Sequence, residues 1–172
     1  MGECHYDVTN RLGTIIIHKN GWKKELRRIA WNGSDAKFDI RDWAPDGRLS
    51  RGITLTDREM DSFYSSYTSW KRRGNSIEKC LERAPSFILE EDVQVIIYDH
   101  IGTLSRHNDW NREVNIVSWN GGEPKIDIRE WIYGHTRMTR GLTMTEEDAD
   151  KICDLYWEYI KVQTTYQLFE AV

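Results

Sequence analysis

A chain of 172 residues with 39% apolar and 30% charged side chains is ordinary in composition for a globular protein. No apolar run is long enough to span a bilayer, and the Met-Gly-Glu-Cys-His start lacks the basic and apolar regions of a secretory leader, so a cytoplasmic location with no membrane partner is expected. A net charge of −4 argues against nucleic acid only as a single number: residues 10–56 hold ten Lys/Arg against five Asp/Glu, residues 93–145 hold six of each, and the acid is concentrated elsewhere.

The β-branched and aromatic runs Gly13–His18 and Glu25–Trp31 predict two strands with Asn20-Gly21 as the turn between them. Asn32-Gly33 predicts a second hairpin turn, because this pair accepts positive φ. The next strand alternates, with Phe38 and Ile40 on one side and Lys37, Asp39, Arg41 and Trp43 on the other, which sets one group on a core and the other on an exposed sheet face. A loop holding Pro45-Asp46-Gly47 leads to a last short strand, Gly52–Leu55. Thr56-Asp57-Arg58-Glu59 then reads as a capping box opening a helix with Met60, Phe63, Tyr64 and Tyr67 at helical spacing. Gly74 ends that helix. Residues 75–92 read as a spacer, with a short helix starting at Ser76 and stopping before Pro85.

The same pattern then returns. Trp31-Asn-Gly-Ser-Asp-Ala-Lys-Phe-Asp-Ile-Arg-Asp-Trp43 recurs as Trp119-Asn-Gly-Gly-Glu-Pro-Lys-Ile-Asp-Ile-Arg-Glu-Trp131 at an offset of 88, and nine of twenty-one positions match between 23–43 and 111–131. Val93–Tyr98 running into Leu104, Val114–Trp119, the alternation of Ile126 and Ile128 against Lys125, Asp127, Arg129 and Trp131, and Gly141–Met144 supply the strands. Thr145-Glu-Glu-Asp148 opens a helix with Ala149, Ile152, Cys153, Tyr156 and Ile160 in its stripe. The expected fold class is α+β, with tandem ββββα repeats over 10–74 and 93–161 and a tail over 162–172 that is either a helix extension or loose. Such small units share a core, and the helix stripes are packing surfaces.

Cys4, Cys80 and Cys153 are odd in number and not repeated, which fits reduced thiols. The five histidines lack metal-ligand spacing, no phosphate-cradling glycine loop occurs, and Asp39 and Asp127 are better placed to pair with Arg41 and Arg129 than to act as bases. No enzyme, metal or cofactor is expected. An exposed β face with Lys, Arg and Trp interleaved matches the way sequence-tolerant single-strand binders hold phosphates and stack on bases. Trp43 and Trp131 are predicted to be exposed. Trp31 and Trp119, on strands without a clean polar face, are read first as core fillers and kept as further binding residues.

Asp-Ile-Arg-Glu-Trp, a loop, then Arg-Gly-(Ile/Leu)-Thr-(Leu/Met)-Thr opening a helix resembles the single-stranded-DNA-binding domain of the transcriptional coactivator positive cofactor four (p15), most of all its small bacterial members. The resemblance implies curved antiparallel sheets with helices packed at the centre of a dimer, here a pseudo-dimer within one chain. It implies single-stranded DNA, or strands of melted duplex, bound by Lys37, Lys125, Arg41 and Arg129, stacked on by Trp43 and Trp131, and held at phosphates by Arg51 and Arg140. The loops before Gly52 and Gly141 carry fewer cations than the family usually has there, and the copies differ, so the two sheets need not bind equally. Transcription, replication or recombination would use such a protein. RNA or the transcription machinery are further partners to test, and a protein-interaction module that has lost DNA binding is the competing reading.

Overall fold

The computed structural model describes residues 5–170. Two antiparallel sheets form. The first runs in the order β1 (Tyr6–Ile17), β2 (Lys23–Trp31), β3 (Lys37–Trp43), β4 (Leu49–Leu55). The second has five strands in sequence order: β5 (Phe87–Glu90), β6 (Gln94–His107), β7 (Trp110–Trp119), β8 (Lys125–Ile132) and β9 (Leu142–Met144). Helices α1 (Asp57–Arg72), α2 (Ile77–Leu81) and α3 (Glu146–Glu170) complete the α+β architecture. The expected Asn-Gly turns are present: Asn32 and Gly33 have φ of 49° and 74°, Asn120 and Gly121 of 51° and 70°. Each Asn also accepts a hydrogen bond across the sheet, Asn32 from the His5 amide (3.1 Å) and Asn120 from the Gln94 amide (3.0 Å).

One predicted boundary changes. Residues 75–92 are not a plain spacer, because Ser76 caps α2 as expected but Phe87–Glu90 forms a strand on the edge of the second sheet. Residues 162–170 continue α3, the helix extension that is one of the two readings of this stretch. The strands β1 and β6 also run longer than the hydrophobic runs suggest. Three register shifts interrupt each at matching places, and each bulge inverts the alternation that would have marked the strand.

The chain divides into two compact units that do not follow the repeats. The first unit comprises the described residues up to Asp57 together with those from Asp150 onward; the second is Arg58–Ala149. Each unit therefore combines the sheet of one repeat with helix from the other. In the first unit α3 covers β3, with Phe38 edge-on to Tyr156 and Tyr159 at 5.3 and 5.7 Å between ring centroids. In the second, α1 covers β6 and β7: Trp70 Nε1 donates to Asp99 (2.9 Å), and buried Glu59 accepts from Ser105 (2.6 Å) and Arg112 (3.1 Å).

The close approach is alike in both units. A Cβ on Gly13 of β1 would lie 2.6 Å from Leu155 of α3, and one on Gly102 of β6 would lie 2.7 Å from Ser66 Cβ of α1. The predicted stripes supply these cores. Met60, Phe63 and Tyr67, and Ala149, Ile152, Cys153 and Tyr156, are buried, whereas Tyr64 and Ile160 are only half-buried. Cys80 and Cys153 are free thiols, pushed up to about 11 and about 12 first by burial, so both are inert; Cys4 lies outside the described residues.

Candidate nucleic-acid interface

With a helix on one face of each sheet, the chemistry of interest lies on the opposite, outer face. Alternation along β3 puts Lys37, Asp39, Arg41 and Trp43 there, and the β2 register sets Arg27 opposite Asp39, Glu25 opposite Arg41 and Lys23 opposite Trp43. Asp39 is fully buried. Arg41 Nε and Nη2 donate to its two oxygens at 2.5 and 2.6 Å, Thr54 adds a third donor at 2.9 Å, and the Arg41 guanidinium lies 4.5 Å over Trp31. The expected ion pair thus forms, and it holds Arg41 in the sheet. Gly52 is a requirement of this geometry, because a Cβ there would overlap Arg41 Cβ and the Ile40 carbonyl oxygen.

The second unit repeats the arrangement. Arg129 donates to both oxygens of fully buried Asp127 at 2.6 Å each and lies 4.0 Å over Trp119, while Gly141 meets the Ile128 carbonyl and Arg129 Cβ. Burial raises the Asp127 pKa above the usual carboxylate value despite the opposing pull of Arg129. Nε1 of Trp119 adds a weaker pull without reaching hydrogen-bond geometry.

The tryptophans reverse their expected roles. Trp43 is 5% exposed and Trp131 is 0% exposed, whereas Trp31 and Trp119 are half-buried. Alternation correctly assigns Trp43 and Trp131 to the outer face, but it reports side and not depth. Arg27 lies 3.7 Å over the Trp43 ring with Tyr6 tilted against it, and Trp131 is stacked on Trp119 at 6.0 Å and 6°. Neither ring is open to stack on a base.

Of the predicted phosphate contacts, Lys37, Arg51 and Arg140 are exposed and Lys125 is half-buried; none has an ion pair among the described residues. Arg41 and Arg129 are committed to their aspartates.

The two outer faces differ in what surrounds this shared centre. On the first sheet a half-open groove of about 490 Å³ runs between the β1–β2 hairpin and the Ala44–Gly47 turn, lined by Tyr6, Arg11, Lys23, Glu25, Arg27 and Trp43 among others. Sequence reasoning missed Arg11, Lys23 and Arg27. Their signal was the basic excess over 10–56, but they fall outside the repeated motif that drew attention. On the second sheet Val95, Ile97, Val117 and Trp131 form an apolar cluster covered by Phe87, Leu89, Trp119 and Met138. Buried Glu113 sits beside it, 2.7 Å from His135 Nε2 and 3.7 Å from His100 Nδ1. Burial alone would raise its pKa, but His135 and Asn115 hydrogen bonds and the two histidine charges hold it below the ordinary value.

The fold and these faces define an α+β protein of sheet-plus-helix units with one helix-covered and one outer sheet face. Residues 107–155, from the end of β6 through the first turns of α3, match the family model described as Transcriptional Coactivator p15 (PC4). The chain is also 47% identical over 59 residues to an uncharacterized protein of Treponema pallidum (strain Nichols), a match covering 34% of this chain and 69% of that protein. Residues 107–155 thus carry a p15 (PC4) coactivator family domain, which lies on the second repeat.

Proposed function

We propose that the protein is a non-enzymatic, cytoplasmic single-stranded-DNA-binding protein whose outer sheet faces hold the phosphate backbone without strong base preference, in transcription, replication or recombination. The observation that carries this reading is the set of exposed cations, Lys37 and Arg51 with Arg140 of the other repeat, which have no ion pair among the described residues and stand beside rigid Arg–Asp centres on the sheet faces opposite the helices. The family match supports it. Because the rings of Trp43 and Trp131 are covered, binding rests on phosphate contact more than on stacking by these two. One chain supplies both sheets and both covering helices, so we also propose that it works as an intramolecular pseudo-dimer.

Fluorescence anisotropy with labelled single-stranded DNA, duplex and RNA of one sequence, measured across salt concentrations, tests the reading. The single strand should bind more tightly than duplex. If about four to six phosphates are neutralised, log K against log salt should slope at roughly −3 to −4. A flat salt response overturns the electrostatic model, and tighter binding of RNA than DNA would reassign the ligand.

A further inference from the structure

The strand register allows the two outer faces to be compared position by position. Arg11 pairs with Arg27 across β1 and β2, and the corresponding pair across β6 and β7 is His100 with Asn115. Lys23 lies opposite Trp43, and Asn111 lies opposite Trp131. Tyr6 lies opposite Trp31, and Val95 opposite Trp119. Three positions that are always cationic in the first repeat are thus one histidine and two asparagines in the second. The shared motif, with its Arg–Asp centre and tryptophans, hides this difference because it is the part that did not change.

Covering differs in the same direction. In the first sheet β1 is the edge strand, and the face beside it opens into the groove that Arg11, Lys23 and Arg27 line. In the second sheet β5 extends beyond β6, and its Phe87 and Leu89, with Met138 from the β8–β9 loop, lie on the cluster around Trp131. The protein's own apolar side chains thus cover this part of the second outer face. Arg11 and Lys23 are exposed with no ion pair among the described residues, while Arg27 is held by Glu25 at 2.5 Å and stacked over Trp43. Free cations at a rim above a rigid floor suit a phosphodiester backbone. A groove of about 490 Å³ is within the roughly 300–1,000 Å³ range of small-ligand clefts, the scale of a nucleotide unit.

We propose that the outer face of the first sheet is the principal strand-binding site, with Arg11 and Lys23 as phosphate contacts, and that the largely covered face of the second repeat, which carries the family match, offers only the exposed Arg140 as a secondary contact. This rests on the single-strand reading above. The test uses the full chain and a labelled hexamer of oligo-dT, short enough to report each face separately. The expected stoichiometry is one tight site per chain. Arg11→Glu with Lys23→Glu should weaken that site on the order of 100-fold and lower the salt slope by about 1.4, at about 0.7 for each lost phosphate contact, with the thermal midpoint unchanged. Two equivalent sites, or retention of tight binding by the double variant, overturns the assignment while leaving single-strand binding standing. No binding of any single strand by the unmodified chain overturns both.

Discussion

Trp131 shows how far a single residue departs from what alternation suggests. Were it an exposed stacking platform, its truncation would leave stability untouched. It is instead fully buried against Trp119 within the cluster of Val95, Ile97 and Val117. Trp131→Ala should therefore cost about 3–5 kcal/mol and lower the thermal midpoint by on the order of 10 °C. An unchanged midpoint in a thermal melt would restore the platform reading. Arg129 follows the same logic. It neutralises a carboxylate with no exposure, so Arg129→Ala leaves Asp127 buried and uncompensated, at a cost of about 3–5 kcal/mol. A variant that kept wild-type stability and lost only salt-dependent binding would show that Arg129 serves the ligand instead. Glu113 adds a pH signature. Its folded pKa is depressed, so its stabilisation is present above its unfolded value of about 4.3 and is lost as pH falls through the folded one. Asp127 has the opposite sign, since its raised pKa makes protonation favour the fold. Urea unfolding of Glu113→Gln and the parent should differ at neutral pH and converge as pH falls below the ordinary carboxylate range; a constant gap at all pH values would rule the linkage out.

At the level of elements, sequence marks what is local. Asn-Gly pairs, capping residues and helical stripes identified turns and helices because each is specified within a few residues. It does not mark what an element packs against. The stripe Met60, Phe63, Tyr67 states that α1 must be covered, and nothing in it states which sheet does so. Strand β5 was missed because four residues are too few for periodicity to register. Among the exposed cations Lys37, Arg51 and Arg140 were legible, as was the Arg–Asp pairing, whereas Arg11 and Lys23 were not, because they lie outside the repeated motif. The depth of Trp43 and Trp131 was not, since it is set by Arg27, Tyr6, Phe87 and Met138, which come from other elements. The glycines where strand meets helix give a direct check of the seating. Gly102→Ala should drive a methyl into Ser66 on α1 and cost about 1–3 kcal/mol by overpacking. A neutral effect in denaturant unfolding would mean that β6 and α1 are not in this close contact.

The whole molecule raises a question that neither repeat answers alone. The first unit needs residues up to Asp57 and from Asp150 onward, so no contiguous stretch smaller than nearly the whole chain contains it. Residues 1–74 would carry the first sheet without α3, leaving Phe38, Ile40 and Leu55 uncovered, and would carry α1 without β6 and β7. Apolar surface of that kind ordinarily finds a partner. Each half expressed alone should therefore self-associate or unfold, and 1–74 mixed with 75–172 should form a 1:1 complex, because each fragment holds the helix that the other's sheet lacks. In the intact chain the same pairing is intramolecular, at an effective concentration of order millimolar, which favours one closed chain over association between chains. Light scattering should then report about one chain mass, 20.4 kDa, independent of concentration. An intact chain that runs as a dimer, with halves that stay folded and monomeric and ignore one another when mixed, would show that the helices are not shared between repeats in solution.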